Sequence, residues 1–304
     1  MTSIVTGAFG YIGKYIARQL LQQGEKVVTI TTHPDRHNPF GDAVEAFHFD
    51  FDRPEVLTAH LQGAETLYNT YWVRFEHYGA SFDEAVRNTA ILFECARRAG
   101  IQRIVHISVT HAALSSELPY YAGKARQEQA LLDCGVPCSI VRPTLVFGDE
   151  DILINNIAWL IRKFPIFPIL GDGQYHVRPV YVADLAKIAI ESAKKPLSLT
   201  IDAIGPEDYT FEDFIRLIAS TIKPRENLVH LPPWLGIALG GLIGLALDDI
   251  ILTRDELRGL MSNMLTSEQA PNGATLFSKW LAAHAQTIGA TYSSERRRHF
   301  KSIQ

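Results

Sequence analysis

A chain of 304 residues, 47% hydrophobic and 20% charged, with a formal charge of −4, has room for one large α/β domain or for such a domain with a smaller companion. It offers no basic field of the kind a phosphate backbone needs, which argues against nucleic acid as a partner. Cys95, Cys134 and Cys138 are too few for a disulfide framework, and the histidines show no His-Glu-x-x-His spacing, so reduced structural thiols and no metal are expected. The first candidate strand begins at about residue 2, without room for a leader before it, and a cytoplasmic protein is the expectation.

Short β-branched runs alternate with longer amphipathic stretches through the first half, the pattern of βαβ units and a parallel sheet. Strands are expected at Ser3–Thr6, Lys26–Thr31, Ala46–Asp50, Thr66–Asn69, Arg103–Ser108 and Cys138–Arg142. Gly24, Gly100 and Gly135 stand where left-handed helix ends would fall, and Ser81-Phe-Asp-Glu84 has capping-box form at the start of a helix running to Ala99. The predicted fold is a Rossmann-type doubly wound α/β sheet over residues 1–150, with 175–203 returning to it. A smaller, mainly helical region over 151–304 is interleaved with it, and a helix is expected at Val182–Ala193 and a capped start at Thr210. The apolar run Trp234–Leu247 is shorter than the about 20 residues a membrane span needs, so it reads as a buried or interface helix through which the protein could meet a membrane or a larger complex. Arg296-Arg297-Arg298 reads as a solvated face or tail.

The turn Gly7-Ala8-Phe9-Gly10-Tyr11-Ile12-Gly13 follows a strand and opens an amphipathic helix, which is the context a dinucleotide-binding loop requires. Gly7 suits the tight turn, Gly10 a close approach of backbone to pyrophosphate, and Gly13 close packing of helix on strand, with the free amides of the helix aimed at the phosphates. At the end of the second strand an acidic residue would select NAD. Here Thr32, His33 and Arg36 are offered instead, which favours NADP while leaving NAD open. Asp50 is a candidate to accept from the adenine amino group, or a plain turn carboxylate. Phe51, Asn69, Thr70 and Pro143, at later strand ends, complete the expected cofactor contacts.

Together with Ser108, Tyr120-Tyr121-Ala-Gly-Lys124, Arg142-Pro143-Thr-Leu-Val-Phe147-Gly148 and Val180-Tyr181-Val182-Ala-Asp184, this pattern resembles the extended and atypical short-chain dehydrogenase/reductases. Within them the likeness is to the NAD-dependent epimerase/dehydratase group that includes the nucleotide-binding accessory subunit of respiratory complex I. The resemblance, from residue 2 to about 193, implies Ser108, Tyr120 and Lys124 as the hydride-transfer constellation, with Lys124 also reaching the nicotinamide ribose. Positions i and i+4 share a helix face, and an ammonium beside a phenol lowers its pKa toward the range where it exchanges protons. Thr110 and Tyr121 substitute if the register differs. The interval from Ser108 to Tyr120 is shorter than in extended members, and the loop 111–119 lacks their tyrosine-glycine element. Tyr120 is therefore either a proton donor or an aromatic cover of the cleft.

Trp72, Arg74, Phe75 and His77 follow the fourth strand, where open sheets bind ligands, and could line a substrate pocket. Asn155 and Asn156 are expected to satisfy backbone groups. Two functions follow: an NADP-dependent oxidoreductase or epimerase acting on a hydroxyl or carbonyl substrate, or a non-catalytic NAD(P)H-binding regulatory or structural subunit. An open Ser-Tyr-Lys geometry would favour the first, and a site filled by Trp72 or Tyr121 the second. An oligomer is compatible with either.

Overall fold

The computed structural model describes residues 1–76, 80–223 and 227–294. Its first half runs β1 (Thr2–Thr6), α1 (Tyr11–Gln22), β2 (Lys26–Thr31), β3 (Val44–His48), α2 (Pro54–Leu61), β4 (Thr66–Asn69), α3 (Phe82–Ala99), β5 (Arg103–Ile107), α4 (Pro119–Asp133) and β6 (Cys138–Pro143). Then come β7 (Leu145–Phe147), α5 (Ile152–Lys163), β8 (Phe167–Leu170), β9 (His176–Val177), β10 (Pro179–Tyr181), α6 (Val182–Ala193) and β11 (Leu199–Ala203). The chain ends through β12 (Tyr209–Thr210), α7 (Phe211–Ile222), β13 (Leu228–Leu231), α8 (Pro233–Leu247), α9 (Arg254–Met261) and α10 (Phe277–Ala283). Two compact units result. One joins Met1–Pro143 to Val182–Ala203, and the other joins Thr144–Tyr181 to the described residues from Ile204 onward.

The first unit is built on a seven-stranded sheet in the order β11-β6-β5-β4-β1-β2-β3, with every neighbouring pair parallel. Such a sheet is buried on both faces, and β5 accordingly shows no exposed residue. The chain winds outward from β1 in both directions, so the crevice where the winding reverses opens between β1 and β4, at their carboxyl ends. The core gathers Ile4, Leu57, Leu67, Leu92, Phe93 and Ile104, each at most 1% exposed. Burying each such side chain contributes about 1.5–3 kcal/mol. Helix α3 starts where Ser81 accepts from the Glu84 amide at 3.1 Å and stops at left-handed Gly100, φ 81°. Gly24 and Gly135 are left-handed as well.

β3 begins two residues earlier than expected, pairing Val44 with Val27. Asp50 consequently lies beyond the strand, where its carboxylate accepts from the Arg53 amide at 3.0 Å and turns the chain toward α2. The local capping contact outcompetes extension of the strand.

The second unit carries three two-stranded sheets, β10-β7, β12-β9 and β13-β8, and a core of Phe147, Phe214 and Phe277, all fully buried. Asn155 and Asn156 bind backbone: Asn155 accepts from the Gly289 amide and donates to the Thr291 carbonyl, and Asn156 exchanges both bonds with Ser293. Of the two readings of Trp234–Leu247, a buried or an interface helix, α8 does not fit the buried one. Trp234, Leu242 and Leu245 are 71%, 64% and 82% exposed, because its seats are glycines, Gly236 against Leu170 and Gly244 against the Asp249 carbonyl. No helix among the described residues is long and apolar enough to cross a membrane. His77 and Arg296-Arg297-Arg298 fall outside the described residues.

A Cβ at Gly205 would stand 1.7 Å from the Pro179 carbonyl oxygen, which leaves no room for any side chain. Gly205→Ala is expected to destabilise the second unit by roughly 3 kcal/mol, read from urea unfolding, and a loss under about 1 kcal/mol would show that the backbone there yields.

Candidate functional site

The glycine loop is clamped before any ligand arrives. The Gly7 amide donates to the Ile30 carbonyl at 2.9 Å, and the Ala8 amide donates to Thr29 Oγ1 at 3.0 Å, whose own proton goes to the Val5 carbonyl. Gly7 is left-handed, φ 63°, and the Gly10 amide closes the turn on its carbonyl at 2.8 Å. A Cβ on Gly13 would stand 2.3 Å from that same carbonyl oxygen, so only glycine lets α1 start against the strand. No side chain caps α1 at Gly10 and no acid occupies its first turn, which leaves its amides and the positive end of the helix dipole for an anion. Phe9 is buried, and Tyr11 and Ile12 open the helix.

Around this loop the strand ends bring the other candidates. Thr70 donates its amide to Thr6 Oγ1 at 2.7 Å and its hydroxyl to the Thr6 carbonyl at 2.6 Å, tying β4 to β1 at the switch point. Asn69 is fully buried and its amide is spent internally: Oδ1 accepts from Thr6 Oγ1 and the Tyr71 amide, and Nδ2 donates to His106 Nδ1 at 3.1 Å. It is a strut rather than a side chain offered to a ligand. Thr32 and His33 are exposed and Arg36 half-buried in the turn after β2, held by the Arg36 amide on the His33 carbonyl. Asp50 is paired with the Arg53 guanidinium, which holds its carboxyl below the usual range, and Phe51 stacks on Phe49 at 4.8 Å. The Pro143 carbonyl accepts from the Thr110 amide at 3.2 Å.

The Ser-Tyr-Lys candidates are drawn into a different network from the one their spacing suggested. Lys124 is 3% exposed, and its ammonium donates to the Ile107 carbonyl at 3.0 Å and lies 4.7 Å from the centre of the Trp72 ring. Burial lowers its pKa to about 7, against the opposing charge of Glu128. Behind it His106 is completely buried, and burial and the Lys124 charge drive its pKa well below the ordinary value. Ser108 does not keep its proton for a ligand: its hydroxyl donates to Glu128 Oε1 at 2.5 Å, and Arg142 grips the same carboxylate through Nε at 2.9 Å and Nη2 at 2.5 Å. Tyr120, half-buried, meets Trp72 and Phe82 edge-on at 5.7 and 6.0 Å. Trp72 stacks on Phe82 at 5.4 Å and seats its six-membered ring on Gly123, where a Cβ would stand 2.7 Å away. Its indole Nε1 is buried with no partner among the described residues. Tyr121 is buried beside Tyr120, and Arg74 lies over Phe75.

Glu128, Arg142, Phe82 and Gly123 were not singled out for the site from the sequence. The one legible signal was spacing, since Tyr120, Lys124 and Glu128 recur every fourth residue along α4. Nothing local announces that Trp72 rests on Gly123.

A lysine whose pKa falls on folding binds fewer protons in the native than in the unfolded state between about 7 and 10.5, so stability rises across that window as pH climbs. Lys124→Met is expected to remove a gain on the order of 4 kcal/mol between pH 6 and pH 10.5. Chemical unfolding of both proteins along that range checks it, and parallel profiles would refute the buried-ammonium reading.

Known proteins place this geometry. The chain is 24% identical over 289 residues to NADH dehydrogenase [ubiquinone] 1 alpha subcomplex subunit 9, mitochondrial, of Arabidopsis thaliana, covering 89% of this chain and 72% of that one. It is 24% identical over 231 residues to the ceramide reductase of Caulobacter vibrioides, covering 75% and 73% respectively. The fold matches the Citrobacter sp. triphenylmethane reductase crystallised with NADP(H), TM-score 0.72 at 17% identity, over 94% of this chain and 100% of that one. The expectation of a cytoplasmic protein is corrected here: the Arabidopsis thaliana relative is mitochondrial, and free thiols suit any reducing compartment, so they never specified the cytoplasm. Residues 3–201, which hold the sheet, the glycine loop and Lys124, match a single family model, and the chain belongs to the NAD dependent epimerase/dehydratase family.

Proposed function

We propose that this chain holds NADP(H) as a resident group and works as a cofactor-binding subunit of a larger assembly rather than as a turnover enzyme. The glycine loop with the uncapped start of α1 would take the pyrophosphate, Thr32, His33 and Arg36 the 2′-phosphate of NADP, and Lys124 the nicotinamide ribose. NAD would fit the same loop with less to hold at the 2′ position. The observation that carries the non-catalytic reading is the seat of Trp72, which rests on Gly123 and packs edge-on against the ring of Tyr120. Ser108 adds to it, since a hydroxyl whose proton is given to a carboxylate offers a carbonyl substrate no donor. The mitochondrial relative named as a subunit of NADH dehydrogenase supports a place in an assembly, for which the exposed apolar side of α8 is a candidate surface.

A second reading, an oxidoreductase, is favoured by one observation: Tyr120 stands one turn before a lysine whose pKa is near 7, and the relative named ceramide reductase belongs with it. In that case the cofactor supplies the hydride, Tyr120 supplies the proton, and Trp72 has to swing aside.

Fluorescence titration with NADPH and NADH, followed by hydride exchange with a panel of carbonyl compounds, separates the two. Expected are NADPH binding that Gly10→Asp abolishes and Arg36→Ala weakens about tenfold, and no turnover by the wild type or by Tyr120→Phe. Turnover that Tyr120→Phe abolishes would replace the proposal with the oxidoreductase.

A further inference from the structure

Lys124 is a nearly fully buried ammonium, and described residues of several elements surround it, Tyr120 standing one turn before it on α4. From β5 come the Ile107 carbonyl, which accepts its hydrogen bond at 3.0 Å, and His106, which burial keeps neutral. The segment after β4 contributes the face of Trp72. From α4 itself comes Glu128, one turn on from Lys124 and buried. Arg142, from β6, stands behind Glu128 and binds both of its oxygens. The two partners differ in exposure: the Glu128 side chain is 7% exposed and that of Arg142 27%. Glu128 is the charge that opposes the effect of burial on Lys124, and of the two partners it is the one more shielded from solvent. The same oxygen, Oε1, takes the Ser108 proton.

We propose that Glu128 is the positioning residue of this site: pinned by Arg142, its carboxylate fixes the Ser108 hydroxyl and provides the counter-charge that keeps the buried Lys124 protonated for an oxygen-rich ligand. Only the identity of that ligand rests on the dinucleotide reading. A lysine that donates to ribose hydroxyls must hold its proton, and in so dry a place a neutral amine is the default. Glu128 shifts that balance without touching the ligand.

The test is a titration of the full chain, free of nucleotide, with lysines labelled with carbon-13 at Cε and followed by NMR, the Lys124 signal being the one missing in Lys124→Met. Glu128→Gln is expected to lower the Lys124 midpoint by about one unit or more, and Arg142→Met, which leaves the carboxylate unopposed, to raise it. A glutamine faces the Arg142 donors with its amide, so this variant is paired with the double variant Glu128→Gln/Arg142→Met, in which the amide oxygen still accepts from Ser108; the same fall is expected there. Midpoints that stay put in both proteins carrying Glu128→Gln, or that move together in one direction for Glu128→Gln and Arg142→Met, overturn the inference. NADPH affinity at pH 8 is expected to drop about tenfold in the double variant and to match the wild type at pH 6. Failure of NADPH to bind the wild type at all refutes the dinucleotide reading, while the lysine midpoints still decide the role of Glu128.

Discussion

An ammonium group with almost no water around it has to be held by dipoles, a ring face and a charge, and the carboxyl ends of β4, β5 and β6 are arranged to do this for Lys124. The carbonyl of Ile107 takes one proton, Trp72 presents its face, and Glu128 lies one helical turn away. Each requirement fixes something else. Trp72 can reach the lysine only because position 123 is glycine, and the Glu128 carboxyl is held in place because Arg142 reaches over from β6 to both of its oxygens. Ser108 then finds a charged acceptor at 2.5 Å and gives it its proton. Burying one cation in this way organises three strands and a helix.

The same crevice holds a second, independent constraint at β1. Here backbone geometry dominates, with Gly13 meeting the Gly7 carbonyl and Thr29 and Thr70 tying the loop to β2 and β4. Asn69 joins the two regions, accepting from Thr6 at the loop and donating to His106 behind the lysine. The amide orientation is set by the Tyr71 amide that Oδ1 must accept, so His106 carries its proton on Nε2. A run of buried, oriented polar groups thus spans the crevice from the phosphate end to the lysine, and rigidity there is what a site for a long, extended ligand needs.

The parts of this that could be read in the sequence are the local ones. The strand, glycine turn and helix from Thr2 to Gln22, the capped helix from Ser81 and the glycine helix ends at Gly24, Gly100 and Gly135 each depend on residues a few positions apart, and periodicity and turn chemistry expose them. What stayed hidden needs distance. Ser108 and Glu128 are 20 positions apart, on a strand end and a helix, and no pattern says that the serine turns toward the glutamate rather than toward a ligand. Trp72 and Gly123 meet only after β4 and α4 have been assembled in the sheet. Asp50 shows how spacing leaves two readings open, an adenine contact or a turn carboxylate, while its bonds to the Arg53 amide and guanidinium appear only in the folded chain. For helix α8 an all-apolar run left burial and interface both open, and the run could not say that Gly236 and Gly244 would be its packed positions while Trp234, Leu242 and Leu245 face outward.

Membership of the family leaves open whether such a protein turns over a substrate, and the physical difference comes down to one proton and one ring. A serine has a single hydroxyl proton. Given to a carboxylate that is itself pinned by a guanidinium, it forms a charge-assisted bond about twice as strong as one to a neutral carbonyl, so an incoming carbonyl would have to win it from a better acceptor. A tyrosine can replace that donor only if a substrate can reach it, and Trp72 stands edge-on to the ring of Tyr120 with its own weight resting on Gly123. Holding the pyrophosphate of a dinucleotide asks for neither condition. It asks for a start of α1 with no side-chain cap and no acid, and a glycine where the pyrophosphate comes close. The geometry supplies these, and hydride transfer in this frame would require either the Ser108 proton to be released from Glu128 or the Trp72 ring to move away from Tyr120.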